Sequence, residues 1–174
     1  PQNGFKEEVI IQPQMSFGTG HHQTTWLLSK LLCDKDFNNL TVLDSGTGTG
    51  VLAILALKRG AKNVIGTDIE SGAVDNALEN FERNNLPNAA IRLGDIDCVT
   101  ERNFDVIIAN VNKNVLKSHL PHYSERSKRL GELYLSGFFV SDVAELIAAA
   151  EKEGYHHSAT HNKDEWAVLK FIKH

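Results

Sequence analysis

Four polar residues close short apolar runs in this chain, and their types suit successive parts of one ligand. Asp44 ends "TVLD", Asp68 ends "NVIGTD", Asp95 follows "IRLG" and Asn110 ends "FDVIIAN". After Asp44 comes "SGTGTG", where Gly46, Gly48 and Gly50 allow tight turns and close approach of a ligand, ahead of a helix N-terminus with free N–H donors. Glycine alone does not identify the ligand. A dinucleotide fingerprint would place its third glycine at 51, where Val51 stands, and Asp44 would repel a phosphate. Asp44 instead suits a positive group, such as the amino group of a methionine moiety. Asp68 lies 22 residues beyond Gly46, near the spacing at which an acid accepts both ribose hydroxyls. Asp95 suits an exocyclic adenine amine, with Ile69 or Ile96 to sandwich the base, and Asn110 offers an acceptor and donors where the reactive end of the ligand would lie. Taken singly, Asp44, Asp68 and Asp95 are as easily read as surface or capping carboxylates. Their joint placement is what argues for a site.

Strands and helices must alternate to gather these residues. "TVLDSG" (41–46), "NVIGTDI" (63–69), "AAIRLGDI" (89–96), "FDVIIANV" (104–111) and "LGELYLSG" (130–137) read as strands, and "EWAVLKFIK" near the C-terminus alternates as a strand near an edge does. "VLAILALKRG" is apolar on most faces and reads as a buried helix with a cationic last turn and a glycine cap. Ser71 is expected to cap a helix with Ala73, Val74, Ala77, Leu78 and Phe81 on one face; Ser141 is expected to cap a later one, stopped at Gly154. This alternation forces parallel pairing through right-handed crossovers, so a doubly wound α/β sheet is expected. In such a sheet the ligand sits beyond the carboxyl ends of the strands. Asp105, at the opposite end of its strand, reads as structural.

Composition bounds the function classes. With 174 residues, 41% apolar, 23% charged and a net charge of -4, the chain suits one globular domain able to bury roughly 70% of its unfolded surface. No basic field advertises nucleic acid, and no stretch is apolar and long enough to span a membrane. Cys33 and Cys98 lack metal-ligand spacing and are expected as free buried thiols in a reducing, cytoplasmic setting.

The set "VLDSGTGTG", "IGTDI", "LGDI" and "DVIIANV" resembles the class I S-adenosylmethionine-dependent methyltransferases over residues 41–172. "FGTGHHQTT" followed by a helix narrows the likeness: over residues 10–172 the chain is similar to the ribosomal-protein lysine methyltransferases of the PrmA type. The resemblance implies a Rossmann-like, doubly wound and mostly parallel seven-stranded sheet with an antiparallel strand near the C-terminus. It implies methyl transfer from S-adenosylmethionine to amines, lysine side chains or the N-terminus, of large-subunit ribosomal protein eleven. Cofactor contacts are implied for Phe17, Thr19, His21, Thr25, Asp44, Gly46, Gly48, Gly50, Asp68, Ile69, Asp95 and Asn110, with Asn110 also catalytic and Phe17 to His21 closing as a lid. Residues 1–15 are expected as an entry segment or linker remnant and 16–174 as the methyltransferase domain. Relatives of this type carry an N-terminal domain that grips the substrate, so a chain starting at Pro1 is expected to be a fragment that binds the cofactor but methylates its protein substrate poorly. The sequence departs from the type at Thr47, commonly cysteine, and at "NVNK", where "NILA" is usual; Asn112 and Lys113 are expected to border the acceptor pocket.

No metal is expected at His21 and His22, because no paired carboxylate or cysteine recurs at ligand spacing. One histidine is expected to order the loop and the other to face water. His119 and His122 flank Pro121, which should break helical pairing between them, and both read as surface residues. Asn110 is expected to accept the hydrogens of a neutral amine and aim its lone pair. Two rival readings share the topology: a nicotinamide-dependent oxidoreductase, against which Asp44 and Val51 speak, and a non-catalytic S-adenosylmethionine-binding module.

Overall fold

The computed structural model describes residues 8–12, 22–86 and 90–174. Helix α1 (His22–Cys33) leads into β1 (Thr41–Ser45), α2 (Val51–Lys58), β2 (Asn63–Asp68), α3 (Ser71–Arg83) and β3 (Ala90–Leu93). Then follow β4 (Phe104–Asn110), α4 (Lys113–Arg126), β5 (Ser127–Phe139), α5 (Val143–Lys152), β6 (Tyr155–Lys163) and β7 (Trp166–Lys173). The seven strands form one sheet in the order β3-β2-β1-β4-β5-β7-β6. Strands β1 to β5 pair in parallel, and β7 runs antiparallel to both of its neighbours.

The central strands are apolar at consecutive positions because both sheet faces are covered. Neighbouring side chains point to opposite faces, so β1 sends Leu43 one way and Val42 the other. Leu43, Ile107 and Ala109 pack with Leu116, Leu120 and Tyr123 of α4 and Leu146 of α5. Val42, Val106 and Ile108 pack with Leu28 of α1, Ile54 of α2 and Phe81 of α3. The chain therefore winds outward from β1 to β3, returns to the other side of β1, and winds outward again. Its strand order reverses between β1 and β4, where two loops must leave the sheet in opposite directions and open a crevice. At the other end of these strands Asp105 is structural, as expected: its Oδ2 accepts from the Thr41 N–H and hydroxyl, both at 3.0 Å, and its Oδ1 from Lys128 Nζ at 2.7 Å.

Several local expectations are corrected. Strand β6 has no apolar alternation to announce it, since Tyr155 and Ala159 are the only apolar residues in "YHHSATHNK"; it is held at the sheet edge by its pairing with β7. Ser71 is already helical, with Glu70 at the cap position, and Ser141 lies in a short 3₁₀ turn before α5. Pro121 does not interrupt α4, because buried Leu116, Leu120 and Tyr123 anchor the helix on both sides of it. Cys33 is exposed rather than buried, whereas Cys98 is half-buried.

The buried face of α3 differs most from expectation. Leu78 is 37% exposed, and the helix and its C-cap instead bury Asn76, Asn80 and Asn84 at four-residue spacing beside Ala73, Ala77 and Phe81. These amides substitute for a neighbouring strand along residues 8–12. Asn84 accepts from the Ile10 N–H at 2.9 Å and donates to the Ile10 carbonyl at 2.7 Å. Asn80 accepts from the Gln12 N–H at 2.8 Å and donates to the Thr49 carbonyl at 2.9 Å, tying this segment to the glycine loop. Asn76 donates to the Gln12 carbonyl at 2.9 Å. Asn80→Ala strands the half-buried Thr49 carbonyl and the Gln12 backbone N–H, an expected loss of about 2 kcal/mol. Thermal unfolding of that variant should start about 4–8 °C lower than in the parent.

Candidate functional site

The crevice is built from the turn after β1. Gly46 adopts φ +74°, and a Cβ there would lie 2.3 Å from Val111 Cγ1, so only glycine lets this loop cross the end of β4. Its N–H and that of Thr47 donate to the Thr67 carbonyl at 2.9 and 2.8 Å. Gly48 adopts φ +54°, with nothing within 4 Å of where its Cβ would be. Its N–H donates to Asp68 Oδ2 at 2.9 Å, and the Glu70 N–H donates to Asp68 Oδ1 at 3.1 Å. Each of these carboxylate oxygens has a further lone pair for a ligand. Gly50 stands at the head of α2 with φ +80°.

A cavity of about 600 Å³ opens at these strand ends. Thr25, Gly46, Gly48, Asp68, Ile69, Asp95 and Asn110, all assigned from sequence, line it together. Ile69 is 73% exposed, a large apolar side chain left uncovered on the wall, whereas Ile96 is buried in the core and does not reach the cavity. Asp95 caps the turn that follows β3, its Oδ1 accepting from the Asp97 N–H at 2.9 Å. Asn110 Nδ2 donates to Thr25 Oγ1 at 3.1 Å, which ties α1 to the end of β4 and fixes the amide's orientation. Its Oδ1 is buried without a hydrogen-bond partner among the described residues.

Other assignments fall elsewhere. Phe17, Thr19 and His21 lie outside the described residues. Asp44 does not line the cavity: it is fully buried beneath the glycine loop, its Oδ2 accepting from Thr47 Oγ1 at 2.7 Å and its Oδ1 left unpartnered. The alternation of β1 turns it away, and Ser45 and Thr47 reach the cavity in its place. Gly50 is likewise outside the lining, because it packs against Phe81. Asn112 borders the cavity as expected and caps α4 by accepting from the Val115 N–H at 3.1 Å. Lys113 does not; it turns to α5 and pairs with Asp142 at 2.7 Å and Glu145 at 3.2 Å.

The sequence reading missed Val111, Val115 and His119, which also line the cavity. Val115 and His119 are one helical turn apart, a spacing visible once α4 is known to run on through Pro121. His119 is therefore a half-buried wall residue and not a surface one, with its ring edge-on to Tyr123 and His122.

Burial governs the charges. Desolvation pushes the Asp44 carboxyl up to about 6, opposed by the hydrogen bond from Thr47 and the Ala53 amide and reinforced by the nearby Asp68 charge. It lowers the His119 imidazole, against the pull of Asp95 and Asp97 and with the repulsion of His122. Burial pushes the Tyr123 hydroxyl up, opposed by its hydrogen bond with Ser45 Oγ at 3.0 Å and reinforced by the Asp44 and Asp95 charges.

Known proteins resemble the chain along nearly its whole length. The profile of the family described as ribosomal protein L11 methyltransferase (PrmA) matches residues 2–174. A ribosomal protein L11 methyltransferase of Phocaeicola vulgatus is 42% identical over 95% of this chain and 59% of its own length. One of Porphyromonas gingivalis is 44% identical over 94% of this chain and 57% of its own. The chain thus spans under three-fifths of each of these relatives. Among solved structures, a ribosomal protein L11 methylase of Lactobacillus delbrueckii subsp. bulgaricus superposes with a TM-score of 0.81 at 30% identity, covering 88% of this chain and 80% of that one.

The raised Asp44 group makes stability pH-dependent in a definite direction. Its pKa is higher folded than unfolded, so its favourable contribution is complete below about pH 4 and is lost as pH rises toward 6. At roughly 1.4 kcal/mol per pH unit, the buried charge costs about 3 kcal/mol at neutral pH. Asp44→Asn should therefore melt several degrees above the parent at pH 7.5, and the gap should close as pH falls to 4. Melting curves taken across that range check it; a gap independent of pH would contradict it.

Proposed function

The chain belongs to the ribosomal protein L11 methyltransferase family, and on that premise we propose that it transfers methyl groups from S-adenosylmethionine to amines of a large-subunit ribosomal protein, on lysine side chains or the N-terminus. The observation that carries this reading is the Asn110 amide: a buried acceptor oxygen without a partner, its orientation fixed by Thr25, on the wall of the cavity that also holds Asp68 and Gly48. Residues 16–174 are the methyltransferase domain in this reading, and the setting is cytoplasmic. Among the described residues no helix is long and apolar enough to cross a membrane.

The residues fit an adenosyl sulfonium ligand. Asp68 retains lone pairs for a ribose diol, the open face of Gly48 admits close approach of the ligand to the backbone, and exposed Ile69 offers an apolar cover for the base. Asp95 holds an acceptor at the end of β3 for an exocyclic amine. The cofactor, when bound, supplies a methyl group activated by a positive sulfur. Asn110 Oδ1 accepts a hydrogen of the incoming neutral amine and turns its lone pair toward the cavity, while Thr25 keeps the amide from flipping. Asn110 takes no proton itself; the ammonium formed by transfer gives its proton to water. Asp44 acts from beneath the loop, through Thr47, and not by direct contact.

Radiolabel transfer from S-adenosylmethionine to the ribosomal protein tests the activity. Binding of the cofactor with no transfer to any ribosomal protein would overturn it. Asp68→Ala should weaken cofactor binding at least tenfold, since charged hydrogen bonds to hydroxyls contribute about 1.5–3 kcal/mol. Asn110→Ala should slow transfer about a hundredfold through lost alignment. Unchanged turnover in that variant would remove Asn110 from the mechanism.

A further inference from the structure

His119 sits in the cavity wall in a way that constrains its tautomer. The Tyr123 hydroxyl donates its single hydrogen to Ser45 Oγ at 3.0 Å, so it meets His119 Nδ1, 3.4 Å away, as an acceptor. Nδ1 therefore carries the ring hydrogen, and Nε2 is left as a lone-pair acceptor. The edge-on contact with the Tyr123 ring, centroids 5.9 Å apart, holds the imidazole in this orientation. Asp95 lines the same cavity and lies within electrostatic reach of the ring; its Oδ1 is taken by the Asp97 N–H, and no hydrogen bond reaches Oδ2 among the described residues. His119 and Asp95 thus line the same cavity within electrostatic reach of one another, each with one acceptor that no hydrogen bond takes up among the described residues. A group with two hydrogens to donate matches them.

We propose that His119 is a specificity-determining residue for the base of the cofactor, its Nε2 accepting one hydrogen of the adenine amine while Asp95 accepts the other. The inference rests on the adenosyl-ligand reading above. A base carrying an oxo group at that position brings lone pairs against two acceptors, so hypoxanthine is rejected where adenine is held.

Calorimetric titration of the 174-residue chain with S-adenosylhomocysteine and with its inosine counterpart, S-inosylhomocysteine, tests this. The parent is expected to prefer the adenosyl ligand. His119→Leu, which keeps most of the bulk and loses Nε2, should bind the adenosyl ligand about three- to tenfold more weakly, the worth of one neutral hydrogen bond, and the inosyl ligand no more weakly than the parent does, since one repelling lone pair is gone. His119→Gln, which regains an acceptor oxygen, should recover part of the preference and also guards against a Leu variant that fails to fold. Equal weakening of both ligands in the folded variants would show that His119 only packs, and overturn the proposal, as would an unchanged preference. If the unaltered chain binds neither ligand, the cofactor reading falls first and takes this inference with it.

Discussion

The Asp68 carboxylate holds two turns at once, accepting the Gly48 N–H from the loop after β1 and the Glu70 N–H from the loop after β2. With the Thr67 carbonyl, which takes the Gly46 and Thr47 amides, it fastens the glycine loop to the end of the neighbouring strand. The rest of the site depends on that fastening. A glycine-rich turn has many accessible conformations, and fixing each residue costs about 1–2 kcal/mol of backbone entropy. Here the cost is offset by bonds from β2, so the loop stands already shaped over the crevice. The same carboxylate keeps lone pairs for a ligand, and structural and binding roles meet in one side chain.

Beneath the loop lies a polar layer in an otherwise apolar core. Asp44, Thr47, Thr67 and Ser45 are all buried at the carboxyl ends of β1 and β2. Asp44 Oδ1 and Thr67 Oγ1 lack partners among the described residues. Unsatisfied polar groups in a core cost stability, and such costs gather at functional sites. The three asparagines of α3 and its C-cap follow a different logic. They are spent on satisfying the backbone of residues 8–12, which has no neighbouring strand, and Asn80 links that segment to the Thr49 carbonyl. The approach to the crevice and its glycine loop therefore share one hydrogen-bonded support.

On the other face of the sheet, α4 and its N-cap Asn112 run along the crevice with Val115 and His119, while Leu116, Leu120 and Tyr123 anchor the helix in the core. Lys113 braces the start of this helix against Asp142, whose Oδ2 also accepts from the Phe139 N–H at 3.2 Å. The ends of β4 and β5 are thus tied together beside Asn110. Lys113 serves the site as a strut and not as a lining residue.

The sequence by itself determined the alternation of elements, the α/β class and the neighbourhood of Asp68, Asp95 and Asn110. Hydrophobic period and strand-end position are local properties, and parallel pairing brings strand ends together without further information. It did not determine depth or facing. Whether Asp44 looks into the crevice or beneath it depends on which way the last residues of β1 turn, and consecutive residues of a strand point oppositely. Leu78 lost its expected place on the buried face, which took in Asn76, Asn80 and Asn84, because residues 8–12 lay over α3, a contact some seventy residues away along the chain. His119 entered the crevice because tertiary packing carried α4 through Pro121, which local propensity alone would have ended. Strand β6 had almost no apolar signal and took its form from its partner, since an edge strand needs a neighbour's hydrogen bonds more than a buried face.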